Sequence, residues 1–185
     1  ADSLLNVKVG RDVVVIGGGM TAVDAAVQSK LLGSQNVSLV YRRGKKDMSA
    51  SIYEQDLATS KGVRIIYNAT PLEVVKNNST LNVKFGYTET IDSKLKQTGE
   101  TFNLAANQVL KAIGQNFSEE INSLKISNGK IYVDQNGQTN ISNIWAGGDC
   151  VTTGDDLTVT AVAQGRDAAI DINSQLMKQI KKEGQ

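Results

Sequence analysis

Two groups of residues in this chain have the types and spacing to do chemistry. The first is the run VVVIGGGMTAVDAA, in which Gly17, Gly19 and Ala22 stand in GxGxxA register. In such a loop Gly17 permits a tight turn, Gly19 lets a pyrophosphate approach the backbone, and the small Ala22 lets the next helix pack on the preceding strand. Gly18, Met20 and Thr21 complete the loop, and the free N–H groups that open a helix attract an anion. The second group follows Tyr41: Arg42 and Arg43, with Lys45 and Lys46 close behind. In a dinucleotide-binding unit the residue after the second strand meets the adenosine ribose, where a carboxylate accepts from the 2′-hydroxyl of NADH. No carboxylate follows Tyr41 directly. A guanidinium would instead hold a 2′-phosphate through two parallel hydrogen bonds, so the expected coenzyme is NADPH in preference to NADH. The plainer readings are a glycine turn that serves packing and a solvated basic turn. They lose ground because a buried strand precedes the glycines and a helix follows them.

Those residues need a scaffold. Residues 12–16, DVVVI, form a β-branched run with no polar alternation, the pattern of a parallel strand covered on both faces. From Met20 to Leu32 the apolar Ala22, Val23, Ala26, Val27 and Leu31 recur at helical spacing, and Gly33 ends the helix. A second strand runs from Val37 to Tyr41, a second helix from about Ser49 to Lys61, and VRIIY opens a third strand. This βαβαβ order is half of a doubly wound sheet. From Ala69 to about Leu110 the runs LEVV, LNVKFGY and TFNL read as an inserted antiparallel meander. QVLKAIG then restores a parallel-type strand ending in Gly114, a further residue on the cofactor side. Asn128-Gly129 and Asn136-Gly137 signal turns around KIYVD, and NIWAGGD reads as a last strand. The final helix repeats Val159, Val162, Ala163, Ala169, Ile172 and Leu176 at helical spacing before a solvated tail.

Composition removes whole classes of function. The chain has 185 residues, 40% hydrophobic and 21% charged, too apolar for disorder and without an apolar run long enough to span a membrane. Twenty Lys and Arg against 19 Asp and Glu leave a net charge of +1, so no whole-chain field favours nucleic acid. There is no histidine and only one cysteine, which excludes His-based triads, an internal disulfide and a thiolate metal site. No metal and no catalytic side chain are expected. Cys150 reads as a small buried residue. The opening ADSLLNVKVG lacks the basic and apolar regions of an export signal, so a cytoplasmic location is expected.

The stretch WAGGDCVTTGDDLTVTAVAQGRDAA resembles the carboxy-terminal FAD signature of flavoproteins with two dinucleotide-binding domains, the pyridine nucleotide-disulphide oxidoreductase superfamily. The resemblance implies that Asp149, after Gly148, hydrogen-bonds the flavin ribityl chain. It also implies that the next helix turns its first N–H groups, near Thr158 and Val159, toward the flavin pyrimidine carbonyl, where charge grows upon reduction. The order IGGGMTAVD, LVYRRGKKDM, KAIGQN and IWAGGDC is similar to the small subunit of glutamate synthase and to the flavin-bearing part of bacterial dihydropyrimidine dehydrogenase. The runs EQDLA, YRRG and MSAS favour the second.

These motifs cover about residues 11–175, and two departures stand out. That superfamily often has Asp or Asn where this chain has Met20, and its cysteine-rich iron-sulphur segment and FAD-binding GxGxxG half have no match here. The resemblance therefore implies a Rossmann-like doubly wound parallel sheet with an inserted antiparallel meander, plus a carboxy-terminal strand and helix of an FAD-binding domain. Residues 11–114 would be the NAD(P)H-binding domain, 115–139 a hairpin connector and 140–185 the FAD-domain segment. Hydride would pass from NADPH (or NADH) to FAD in the intact protein and on to a catalytic partner subunit. Alone, this portion is expected to be inactive, to bind FAD weakly and to self-associate through faces shaped for the remainder. An isolated non-catalytic nucleotide-binding module is the alternative.

Overall fold

A computed structural model describes residues 6–115 and 123–183. Residues 1–5, Asn116 of the KAIGQN run with the rest of 116–122 in the expected connector, and 184–185 of the tail lie outside the described residues. The chain divides into two compact units, Ala1–Gly114 and Gln115–Gln185.

In the first unit the elements run β1 (Asp12–Gly17), α1 (Met20–Leu31), β2 (Asn36–Val40), α2 (Ile52–Ser60), β3 (Val63–Ile66), β4 (Ala69–Asn77), β5 (Thr80–Ile91), β6 (Lys94–Ala106) and β7 (Gln108–Ala112). One sheet has the order β3-β2-β1-β7 with every neighbouring pair parallel, and the other is the antiparallel meander β4-β5-β6. The uniform apolarity of β1 now has its cause. Val13 and Val15, with Val37 and Leu39 of β2, pack under Ala22, Val23 and Ala26 of α1 and Ala58 of α2. Val14 and Val40 face the other way and meet Ala69, Val83, Phe85 and Ala106 of the meander. Alternate residues of one strand thus feed two separate cores, helices on one face and the meander on the other. Leu31, expected on the apolar face of α1, is 61% exposed, because α1 ends on it and turns away at Gly33. Helix α2 starts at Ile52, later than the expected Ser49. Ser51 accepts from the Glu54 amide and donates its own amide to the Glu54 carboxylate, a reciprocal cap that fixes the start.

The second unit contains β8 (Ile126–Ser127), β9 (Lys130–Ile131) and α3 (Thr158–Glu183). Asn128 and Gly129 join β8 to β9 with φ of 53° and 74°, the pair of left-handed residues that a tight hairpin requires. This hairpin is more than a connector: Ile131 bridges Val151, and the two share a core with Val133. The strand expected over NIWAGGD is reduced to one bridge between Trp145 and Gln138, since among the described residues no ladder forms beside it. Cys150, expected to be buried, is exposed. Cys150 falls in the turn that the Val151 amide closes onto the Gly148 carbonyl, and Val151 takes the inward place, 1% exposed. The apolar stripe of α3 is also more open than expected, with Val159, Val162 and Leu176 each over 50% exposed.

Candidate functional site

The carboxyl ends of β1, β2 and β7 lie along one edge of the parallel sheet, and the chain order reverses between β1 and β7. Open α/β sheets bind ligands in the crevice beyond such a reversal. The glycine loop sits there. Gly17 pairs with Ala112 in the ladder, and a β-carbon on it would lie 2.1 Å from the Ala112 carbonyl oxygen. A β-carbon on Gly18 would lie 2.3 Å from two carbons of the Tyr41 ring. At these two positions glycine is required by the protein itself. Gly19 differs: its nearest neighbour would be the Ser49 hydroxyl oxygen at 3.3 Å, so packing alone does not demand the missing side chain. It leaves room where α1 begins.

Gly19 is the N-cap of α1, its carbonyl accepts from the amides of Ala22 and Val23, no side chain caps the helix, and the first turn has no acidic residue. The amino end of α1 therefore keeps its positive dipole uncompensated, which suits a pyrophosphate. Met20 and Thr21 are exposed on this turn, while Ala22 is buried against β1. Gly114, two residues past β7, is exposed at the same edge with φ of 85°.

Arg42, Arg43 and Lys46 are exposed on the turn that follows β2. Among the described residues the ion pairs are Lys45–Asp56, Lys130–Asp156 and Arg166–Asp167, so these three cations are in none of them. The backbone that carries them is firmly held. The Arg42 carbonyl accepts from the Thr88 hydroxyl, 2.8 Å, and the Arg43 carbonyl from the Asn68 amide, 3.1 Å. The Gly44 amide donates to the Asp47 carboxylate, 3.1 Å, and the Asp47 carbonyl accepts from the Tyr41 hydroxyl, 2.7 Å. The turn thus exposes cations that are unpaired among the described residues on an anchored backbone.

Several residues that hold this site carry no chemical motif. Ser49 and Ala50 both donate to the Gly18 carbonyl, through hydroxyl and amide at 3.4 and 3.1 Å. Gln55, 1% exposed, donates to the carbonyls of Ala50, 2.9 Å, and Lys45, 3.4 Å, and accepts from the Tyr67 hydroxyl, 3.0 Å. One glutamine thus ties the basic turn to the segment that braces the glycine loop. Burial pushes the Tyr67 hydroxyl above its ordinary pKa, an effect opposed by Lys45 and reinforced by Asp56. The S-x-x-E spacing of Ser51 and Glu54 is a sequence signal that marks the start of α2, but it does not point to Gln55.

In the second unit Gly148, with φ of 83°, and the exposed Asp149 open the loop that leads to α3. Gln164 of α3 accepts from the Gly148 amide, 2.6 Å, and donates to the Thr153 carbonyl, 2.8 Å, drawing both arms of the loop onto the helix. Thr158 and Val159 form the exposed first turn of α3. The Cys150 thiol donates to the Gly147 carbonyl, 3.4 Å. Among the described residues no three His, Cys, Asp or Glu side chains gather as a metal would need, and no helix is long and apolar enough to cross a membrane.

Residues 1–165 match the family model described as pyridine nucleotide-disulphide oxidoreductase. The chain is 32% identical over 179 residues to the glutamate synthase [NADPH] small chain of Azospirillum brasilense, covering 89% of this chain and 37% of that one. It is 30% identical over 171 residues to the NAD-dependent dihydropyrimidine dehydrogenase subunit PreT of Escherichia coli, covering 92% and 38%. Among solved structures, thioredoxin reductase of Lactococcus lactis superposes with a TM-score of 0.76 at 25% identity, over 95% of this chain and 55% of that one. The chain thus spans well under half the length of these two curated relatives.

Proposed function

The chain belongs to the pyridine nucleotide-disulphide oxidoreductase family, and on that premise we propose that residues 11–114 are the NADPH-binding domain of a flavoprotein oxidoreductase. Residues 140–185 are then the closing segment of its FAD-binding domain. The observation that carries the reading is the pairing of two features at one sheet edge: an open Gly19 at an uncapped helix start, and exposed Arg42 and Arg43, in no ion pair among the described residues, on an anchored turn. Two phosphate-bearing parts of one ligand fit that pair.

The residues present fit such a dinucleotide. Gly17, Gly18 and Gly19 with the amides of Met20 and Thr21 hold the pyrophosphate, Ala22 keeps α1 close to β1, and Gly114 lines the crevice beyond β7. Arg42 and Arg43, helped by Lys46, hold the 2′-phosphate. In the second unit Asp149 and Gly148 address the flavin ribityl chain, and the first turn of α3 at Thr158 and Val159 offers its N–H groups to the flavin ring. The bound coenzymes supply the hydride chemistry. No residue of this chain is assigned as an acid or base, because hydride transfer between them needs none.

In the intact protein, electrons pass on to a partner subunit of the glutamate synthase or dihydropyrimidine dehydrogenase type. The relatives are named for different coenzymes, NADPH for one and NAD for the other, so the choice must come from this chain's own residues. Calorimetric titration of the Arg42→Ala/Arg43→Ala double variant tests it. A charge-assisted bidentate contact contributes about 1.5–3 kcal/mol, so NADPH affinity should fall at least about tenfold while NADH affinity is unchanged. An equal loss for both coenzymes would overturn the reading.

A further inference from the structure

We propose that Thr88 is a positioning residue for coenzyme selectivity, fixing the backbone of Arg42 and Arg43 from a strand of the inserted meander. The inference rests on the reading of those arginines as ligands of the 2′-phosphate. Thr88 lies on β5, 46 positions along the chain from Arg42, and is only 5% exposed. Its hydroxyl donates to the Arg42 carbonyl at 2.8 Å. Its amide donates to the Asn68 carbonyl at 2.8 Å, and the Asn68 amide donates to the Arg43 carbonyl at 3.1 Å. Asn68 holds φ of 54°, a left-handed turn between β3 and β4 that asparagine tolerates better than most residues. One buried threonine therefore grips two consecutive arginines, the first directly and the second through a single intervening residue.

The grip begins where regular pairing stops. Tyr41 still takes part in the sheet, its amide donating to Ile66 and its carbonyl accepting from Ala69. Arg42 and Arg43 lie beyond the parallel ladder between β2 and β3, which ends at Val40 and Ile66. Without Thr88 the Arg42 carbonyl would lose its partner and the Asn68 carbonyl would lose the amide that holds it, so each arginine would carry a larger ordering cost on meeting a phosphate. The ladder between β5 and β6 shifts register between Gly86 and Thr88, and such irregularities re-aim side chains at functional edges. A buried hydroxyl is costly unless bonded, and valine has nearly the same shape. The hydroxyl of Thr88 is thus explained by its one acceptor, the Arg42 carbonyl.

The test compares Thr88→Val, which keeps the shape and removes the hydroxyl, with Thr88→Ser, which keeps the hydroxyl, in calorimetric titrations of the full chain with NADPH and NADH. Loss of one neutral hydrogen bond predicts an NADPH affinity lowered about three- to tenfold in Thr88→Val, with NADH within about twofold and the ratio restored in Thr88→Ser. A role in folding alone would lower the melting temperature and leave the ratio of affinities intact. Should Thr88→Val not fold, deuterium exchange in the unmutated chain decides. Adenosine 2′,5′-diphosphate should slow exchange of the Asn68 and Thr88 amides, whereas adenosine 5′-diphosphate should not. An unchanged NADPH:NADH ratio in Thr88→Val, or equal protection by the two diphosphates, overturns the role of Thr88 and leaves the arginines in place. Equal affinity of the unmutated chain for NADPH and NADH removes both the reading of the arginines and the role of Thr88.

Discussion

The ring of Tyr41 lies so close to Gly18 that a β-carbon on the glycine would sit 2.3 Å from two ring carbons, while the hydroxyl of the same tyrosine donates to the Asp47 carbonyl at 2.7 Å. A single side chain just past β2 therefore touches both the glycine loop and the basic turn. The two halves of the proposed dinucleotide site are coupled through it.

This contact separates the roles of neighbouring glycines. Gly18→Ala forces a methyl into the Tyr41 ring and should cost about 1–3 kcal/mol of stability. Gly19→Ala meets only the Ser49 hydroxyl and should cost no more than about 1 kcal/mol, the price of a poorer helix cap. Yet Gly19→Ala should lower NADPH affinity at least about tenfold, because the methyl stands where the pyrophosphate approaches. Urea denaturation and coenzyme titration of both variants check the pair. Unchanged NADPH binding by Gly19→Ala would contradict the assignment.

Gln55 bonds with all its polar ends, so Gln55→Leu leaves the buried Ala50 carbonyl and the half-buried Tyr67 hydroxyl without this partner. An unsatisfied buried group costs about 1–3 kcal/mol. The variant should lose about 2 kcal/mol or more of unfolding free energy in urea, and its NADPH affinity should fall with it, since the Lys45 carbonyl is released as well.

Tyr67 gives the chain a pH dependence in the alkaline range. Burial raises its pKa above the ordinary 10.0, so folding favours the neutral hydroxyl. The stabilisation is complete below the unfolded value and is lost as pH rises through the higher folded one. Denaturation at pH 8 and at steps above pH 10 should show the stability advantage of the unmutated chain over Tyr67→Phe shrinking as pH rises. An advantage independent of pH would contradict this.

The parallel half of the fold was legible because both cores leave their mark on single strands: Val13 and Val15 feed one, Val14 the other, so DVVVI shows no alternation. The meander was legible from its alternation, and Asn128-Gly129 from the φ values its turn requires. What escaped was held by long-range contacts. Thr88 is one threonine among several until the fold brings it to Arg42, and Gln55 sits on a short helix whose sequence gives no hint that it is buried. The NIWAGGD strand was misjudged because the sequence pattern of a strand does not say whether another strand lies beside it, and here Trp145 has a single bridge. Cys150 was misjudged because it falls in a turn, where Val151 takes the inward place. Of the proposed site, the glycine loop and the basic turn were readable, and the hydrogen bonds that fix their backbone were not.

The most direct test of the central claim is calorimetric titration of the unmutated chain with NADPH and with NADH in the same buffer. The exposed Arg42 and Arg43 face only one added group in comparing the two ligands, the 2′-phosphate. A charge-assisted bidentate contact predicts NADPH binding tighter by at least about tenfold, with the difference shrinking as salt is raised. Equal affinities, or tighter binding of NADH, would contradict the account.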